Sequence, residues 1–137
     1  FREHDADRAS RETDHAAELL LAVQLNEEAA SLLEGDVPSG GPTTDRLRRL
    51  AMARYRCGRL ADGMQASRAV LLQDRTCIRS LHNMVLASLM RGRLVHATAW
   101  LRRALAAHPR DEGLRRLRIR LWAQRIVRRC GIGRSDD

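Results

Sequence analysis

A repeat with a period of about 34 residues, a length typical of two-helix units, is the feature that most constrains how this chain can fold. Gly58 and Gly92 lie one such period apart, and the dipeptide Arg-Leu follows each of them. Residues 44–77 laid over residues 78–111 share seven identical positions. These are Leu47/Leu81, Ala53/Ala87, Gly58/Gly92, Arg59/Arg93, Leu60/Leu94, Arg68/Arg102 and Leu71/Leu105. Units of two helices must stack, because one pair alone cannot bury its apolar face.

Apolar residues at intervals of three and four predict where the helices lie. A first helix is expected at about 12–34, followed by a loop rich in Gly and Pro at 36–42. The remaining helices are expected at about 44–57, 60–73, 76–91, 94–107 and 111–129. Thr44, Thr76 and Asp111 are the expected N-caps, since each offers a side-chain oxygen to the free backbone N–H groups of a first helical turn.

The repeat resembles the tetratricopeptide repeat (TPR) family, which residues 78–111 match best. They carry apolar residues along the first helix, a glycine at the turn, a small residue where the two helices approach, and a proline after the second helix. In chain order these residues are Leu81, Met84, Val85, Gly92, Ala97, Leu101, Ala104 and Pro109. The resemblance covers about residues 44–129.

Residues 44–77 depart from the family pattern at three positions. Gly63 stands where the family has its key alanine, Val70 where it has a second one, and Arg75 where it has a proline. The helix at 111–129 is similar to the first helix of a third unit or to a terminal cap. The helix at 12–34 matches no motif and is open to two interpretations, a degenerate preceding hairpin or a packing cap.

The resemblance implies an all-α fold of antiparallel helical hairpins, stacked as a short TPR-like solenoid with an extra N-terminal helix. The expected parts are an acidic N-terminal helix and loop at 1–43, a repeat domain with a basic last helix at 44–130, and a flexible tail at 131–137. The chain opens at Phe1 rather than Met, so it is interpretable as a fragment of a longer repeat protein.

In the TPR family the first helix of each unit lines a concave binding groove. The resemblance implies that the residues at the matching positions of this chain's first helices bind a partner. They are Arg48, Met52, Tyr55, Arg56, Arg79, His82, Asn83, Leu86, Leu89, Met90, Arg116 and Arg120. Leu86, Leu89 and Met90 have a second interpretation, because apolar stripes on helices usually pack as core.

One subgroup of the family binds acidic C-terminal tails through a clamp of five residues. The matching positions here are Arg48, Met52, Asn83, Gly113 and Leu117, of which only Arg48 and Asn83 have suitable side chains. The sequence therefore does not predict a receptor for heat-shock chaperone tails.

Charge is divided unevenly along the chain. Residues 1–45 carry eleven acidic residues against three arginines, a net of −8. Residues 46–137 carry 22 arginines against six acidic residues, a net of +16. A basic repeat region favours an acidic peptide or helix as its partner. The acidic N-terminal helix is itself a candidate to lie against the basic repeats of its own chain.

The last helix is predicted to turn Leu114, Leu117, Leu121 and Trp122 inward and to expose its arginines. Such an exposed face keeps the open end of a repeat array soluble, binds an acidic protein, or binds nucleic-acid phosphate. Because the chain offers no aromatic platform for base stacking, nucleic acid is the second choice of partner.

The sequence predicts neither catalysis nor a metal site or cofactor. Cys57, Cys77 and Cys130 form no CxxC pair, and the five histidines form no metal motif. A reactive thiol at Cys57 is the minor alternative to an inert one. The longest apolar run, Leu19–Val23, is far too short to span a membrane. A reduced protein of the bacterial cytoplasm is the expectation.

These features predict a scaffold or adaptor, not an enzyme, that binds a peptide or helix of another protein in the groove. The alternative is a nucleic-acid-binding module that uses the Arg-rich face. Self-association through the open ends of the repeat is a third interpretation.

Overall fold

The computed structural model describes residues 2–131, which form seven α-helices with no strand among them. The helices are α1 (Arg2–Ala22), α2 (Asn26–Gly35), α3 (Thr44–Arg56), α4 (Leu60–Gln73), α5 (Ile78–Met90), α6 (Leu94–Ala107) and α7 (Glu112–Cys130). They confirm the predicted all-α class of successive antiparallel hairpins. The flexible tail predicted at 131–137 falls, from residue 132 onward, outside the described residues.

The predicted repeat register is confirmed from α3 to α6. Helices α3 and α5 are each 13 residues long and begin one period apart, as do α4 and α6, each 14 residues long. Gly58 and Gly92 lie in matching turns, with φ of +77° and +67°. In both turns the glycine N–H donates to the carbonyl three residues back, and the next N–H donates to the carbonyl five residues back. Glycine adopts this left-handed backbone without the strain that a Cβ brings.

The single helix predicted at about 12–34 is instead two helices, α1 and α2, joined by a turn at 23–25. Gln24 stands one period before Gly58 and also has a positive φ, +65°. The same two backbone hydrogen bonds close this turn, at 3.2 and 2.9 Å. Helices α1 and α2 are therefore a third hairpin in the register of the other two. We term the first helix of each hairpin the leading helix and the second the trailing helix.

Gln24→Gly is expected to stabilise the protein by about 0.5–1 kcal/mol. Relief of a left-handed conformation contributes about 1–2 kcal/mol, and the freer unfolded chain of glycine cancels about half of it. Urea denaturation of the two proteins measures the difference. The control Gln24→Ala keeps the Cβ and should leave the stability nearly unchanged. A Gly variant no more stable than the Ala variant would show that the turn carries no strain.

The helix starts correct two of the predicted caps by one residue each. Thr43, not Thr44, caps α3, and its hydroxyl accepts a backbone N–H at 3.2 Å. Cys77 rather than Thr76 stands at the N-cap of α5, where no side-chain hydrogen bond forms. Asp111 caps α7 as predicted, with its carboxylate accepting a backbone N–H at 2.8 Å. Successive caps among these three lie one period apart, so α7 begins in the register of a leading helix.

The chain forms two compact units, Phe1–Arg75 and Thr76–Asp137. The N-terminal unit contains α1 to α4, and α1, α2 and α3 all contact one another. The C-terminal unit contains α5 to α7, and α7 contacts both α5 and α6. Each unit has its own apolar core: Ala29 and Ala53 are fully buried in the first, Leu81 and Leu114 in the second.

Candidate binding surfaces

Four predicted groove residues lie on α3 in the N-terminal unit, and most of them are engaged by their own chain. Arg48 forms ion pairs with Asp45 at 2.9 Å and with Asp74 at 3.1 Å. Arg56 donates to a backbone carbonyl of α1 at 3.2 Å, and Met52 packs against the core of the unit. These three side chains therefore join α3 to its neighbours.

Tyr55, the fourth of these residues, packs against the trailing helix α4. Its hydroxyl lies 2.9 Å from Ser67 Oγ, and burial raises the pKa of Tyr55 to about 12. A Cβ added at Gly63 would lie only 2.6 Å from ring atom Cδ1 of Tyr55. The departure of Gly63 from the family pattern thus has a steric cause, since alanine does not fit beside this ring.

The equivalent positions in the other two hairpins have different side chains. At the spacing of the repeat the three sets are Leu21/Ala29/Leu33, Tyr55/Gly63/Ser67 and Leu89/Ala97/Leu101. All of these residues except Tyr55 are buried. The larger tyrosine is compensated by two smaller partners, as close packing requires. Leu89, which is only 2% exposed, is therefore a core residue and does not face a partner.

The remaining predicted groove residues lie in the C-terminal unit, where α5 and α7 contact each other. Arg79, Met90, Arg116 and Arg120 are exposed, and the other α5 residues of the set, apart from Leu89, are half-buried. Met90 leaves 59% of its surface open. We term this surface the α5–α7 wall: Arg79, His82, Asn83, Leu86, Met90, Arg116 and Arg120.

His82 lies where α5 meets the first turn of α7. A Cβ added at Gly113 would lie 2.6 Å from His82 Nε2 and 3.2 Å from the Asp111 Oδ1 that caps the helix. The imidazole therefore fills the space that Gly113 leaves open. Glycine at this position lets α5 and α7 approach each other closely.

Helix α7 has two unlike faces. Leu114, Leu117 and Leu121 are buried as predicted. Trp122 was expected to join them, but it is 64% exposed, and Ile119 is 65% exposed. At about 3.6 residues per turn, these two lie with Ile126 on the side of the helix away from the three leucines. We term this second surface the outer face of α7: Ile119, Trp122 and Ile126.

Arg46 is a buried cation that the sequence did not single out, and only 2% of it is exposed. Its guanidinium pairs with Asp14 of α1 at 2.8 Å and with Asp36 of the α2–α3 loop at 3.0 Å. It also donates to the Asp36 carbonyl at 2.7 Å. The hydrogen bond from Arg46 lowers the pKa of the Asp36 carboxyl below its ordinary value. One side chain thus joins α1, the loop and α3.

Further acidic residues of the first hairpin pair with arginines of the N-terminal unit. Glu34 accepts from Arg54 at 3.0 Å and from Arg59 at 3.1 Å, and Glu18 lies 3.8 Å from Arg49. The acidic segment therefore does lie against a basic repeat of its own chain, as one hairpin stacked on the next.

Metal-ligating side chains and the thiol of Cys57 are the two features of residues 2–131 that bear on metal or thiol chemistry. No three His, Cys, Asp or Glu side chains there form a group that could hold a metal ion. Burial, together with a hydrogen bond to Glu27, raises the pKa of Cys57, the reverse of activation. A cleft of about 360 Å³ between α2 and α3 has Arg46 and Arg54 in its lining, but both are already bonded to carboxylates. Over the same residues, no helix combines the length and apolar character that a bilayer crossing needs.

The fold is similar to that of two solved chaperones. The type III secretion chaperone SycD of Yersinia enterocolitica, solved with a peptide of the translocator YopD, superposes with a TM-score of 0.69. That match covers 85% of this chain and 88% of SycD, at 14% sequence identity. PcrH, solved with the chaperone binding region of PopB, gives a TM-score of 0.64 over 82% of this chain and 91% of its own, at 15% identity.

Similarity at this level of identity establishes the fold alone. Both neighbours are TPR-like helical repeat proteins, and this chain shares that fold. No protein-family model matches the sequence, and no curated protein matches it.

Proposed function

We propose that this protein is a non-enzymatic TPR adaptor that binds an acidic peptide or helix of another protein on the α5–α7 wall. The observation that carries the proposal is the composition of this wall. Exposed Arg79, Arg116 and Arg120 stand beside the half-buried Leu86 and the exposed Met90. Arginine and methionine are enriched at protein interfaces, where methionine adapts its shape to a partner.

The charge of this wall is available to a partner. The C-terminal unit has fourteen arginines against four acidic residues. Arg79 and Arg120 form no ion pair with any described residue, and Arg116 reaches only Glu112, at 3.8 Å, whose side chain is 84% exposed. Carboxylates of a bound segment would therefore meet cations that are not already neutralised.

The structural neighbours support a peptide as the ligand. SycD and PcrH were both solved with a segment of a partner protein bound. This chain shares their helical framework over more than four-fifths of its length. A framework of packed helices is suited to such binding, because a rigid surface loses little entropy when a peptide docks.

The predicted groove residues on α3 have a different role in this proposal. Arg48 and Arg56 bond to their own chain, and Tyr55 packs against α4. Arg48→Glu would therefore break two ion pairs of the N-terminal unit as well as any contact with a partner. Charge reversals that test binding belong on the α5–α7 wall instead.

Selection of a displayed library of random 16-residue peptides on the full chain tests the proposal. We expect enrichment of segments that combine Asp or Glu with large apolar residues, and binding that weakens as salt is added. Arg79→Glu with Arg116→Glu should lower the affinity of the selected peptides at least about tenfold, because attraction becomes repulsion.

The matched control is Arg102→Glu with Arg110→Glu, the same charge change at two exposed positions outside the wall. It should leave the affinity within about twofold. Equal losses in both double variants would show that only net charge matters, and enrichment of peptides without acidic residues would reject the acidic partner. Tighter binding to an RNA oligonucleotide than to any selected peptide would reject the adaptor role.

A further inference from the structure

The outer face of α7 occupies positions that the earlier leading helices bury. Ile119 stands one period after Val85 and two after Ala51, and these two are 0% and 3% exposed. Trp122 stands one period after Ser88, which is also 0% exposed. In each earlier hairpin the leading helix packs on its trailing helix. The exposed face of α7 thus has the position of a surface that a trailing helix covers.

Within residues 2–131, the chain does not turn back after α7 to form a trailing helix on this face. Ile126 stands where the two earlier turns have Gly58 and Gly92. A β-branched residue resists the positive φ that this turn requires. Helix α7 accordingly continues through the position and ends only at Cys130, after 19 residues. A helix that covers the outer face is therefore not the in-register successor of α7.

Arginines border the apolar residues of this face. Arg115, Arg118 and Arg129 lie on the same side of the helix as Trp122, and all three are exposed. None of them forms an ion pair with a described residue. Arg128, by contrast, donates to the Gly92 carbonyl at 2.6 Å and helps to fix α7 on the unit. Arg115, Arg118 and Arg129 lie on the Trp122 side of the apolar stripe, where they have the chemistry to select carboxylates.

We propose that the outer face of α7 binds an amphipathic helix of a partner protein whose apolar stripe is bordered by Asp or Glu. The helix docks in the position of a trailing helix and completes a fourth hairpin. This site goes beyond the proposed function, because it shares no residue with the α5–α7 wall. Apolar side chains of the docked helix cover Ile119, Trp122 and Ile126, and its carboxylates meet Arg115 and Arg118.

A helix-stapled peptide with the sequence of α2 is a suitable probe. Helix α2 is the chain's own acidic trailing helix, with three glutamates beside a buried apolar stripe. The variant Trp100→Phe leaves Trp122 as the sole tryptophan of the chain. Docking of the peptide on the full-length variant should shift Trp122 emission to the blue and protect it from acrylamide. No shift at any peptide concentration up to solubility would overturn the proposal.

Variants of the chain separate this site from the wall. Arg115→Glu with Arg118→Glu should weaken peptide binding at least about tenfold, whereas Arg102→Glu with Arg110→Glu should not. Arg79→Glu with Arg116→Glu, which disables the wall, should leave the Trp122 response intact. A peptide with its three glutamates changed to glutamine should bind more weakly. Equal binding of that peptide would overturn the acidic partner. A blue shift that grows with protein concentration alone would overturn the partner protein in favour of a second copy of this chain.

Discussion

Arg46→Met is expected to lower the free energy of unfolding of the N-terminal unit by about 3 kcal/mol. The guanidinium is 2% exposed and bonds to two carboxylates, so its loss leaves Asp14 and Asp36 without their cation. Those carboxylates keep 23% and 40% of their side chains exposed, which moderates the loss compared with a fully buried pair. Urea denaturation followed by far-UV circular dichroism measures the change.

Arg49→Met is the matched control for Arg46→Met. Arg49 lies on the same helix and also reaches α1, but it stands 3.8 Å from Glu18, a side chain that is 63% exposed. Exposed pairs of this kind contribute less than about 1 kcal/mol. Comparable losses in the two variants would contradict a special role for the buried cation.

The effect of Arg46→Met should depend on pH. In the wild type the hydrogen bond from Arg46 lowers the pKa of Asp36 in the folded state. The stability that this carboxylate contributes is therefore present above its unfolded pKa, about 3.9, and is lost as the pH falls through the lowered folded pKa. The gap between wild type and variant should be full at neutral pH and narrow in acid. A gap that does not change with pH would show that packing alone causes it.

Gly63→Ala is expected to destabilise the N-terminal unit by about 1–3 kcal/mol. Alanine inside a helix is ordinarily better than glycine by about 1 kcal/mol, so the sign is opposite to that of helix propensity. The reason is the 2.6 Å separation between the added Cβ and Cδ1 of the Tyr55 ring. Thermal and urea unfolding both report the loss.

A double-mutant cycle isolates that steric cause. In the background of Tyr55→Leu, the change Gly63→Ala recreates the pair formed by Leu89 and Ala97 one hairpin later. There it should be neutral or stabilising, which gives a coupling of about 2 kcal/mol between the two positions. The hydrogen bond between Tyr55 and Ser67 is lost in Tyr55→Leu both with and without Gly63→Ala, so its loss cancels in the cycle. Additive effects of the two substitutions would contradict the packing explanation.

The fold of residues 44–129 was predictable because glycines mark its turns. Gly58 and Gly92 interrupt the apolar stripe one repeat period apart. A glycine that ends a helix is a local signal, so it can be read from the sequence. The turn at Gln24 was not predictable in the same way. A glutamine in the left-handed region gives no sequence signal, and apolar residues run through it without a break. Aligning the first hairpin with the third, two repeat periods later, would have found this turn. Leu21, Ala29 and Leu33 then coincide with the identical residues Leu89, Ala97 and Leu101.

The exposure of the proposed binding residues was only partly predictable from position in the repeat. Exposure of Arg79, Met90, Arg116 and Arg120 agrees with the family pattern, whereas Leu89 is buried by the packing of its own hairpin. Pattern alone does not show which arginines are already neutralised, because their partners are distant in sequence. Arg46 and Asp14, for example, are 32 residues apart.

The acidic hairpin and the arginines of α3 and α4 belong to the same compact unit, so their charges nearly cancel there. The excess positive charge of the molecule therefore lies in the other unit. Counted by compact unit, Phe1–Arg75 has eleven arginines against thirteen acidic residues, a net of −2, and Thr76–Asp137 has a net of +10. Long-range attraction therefore acts almost wholly on one half of the chain. An anionic molecule that diffuses nearby should collide first with the helices that carry both proposed docking sites, so encounter rates should fall steeply as ionic strength rises.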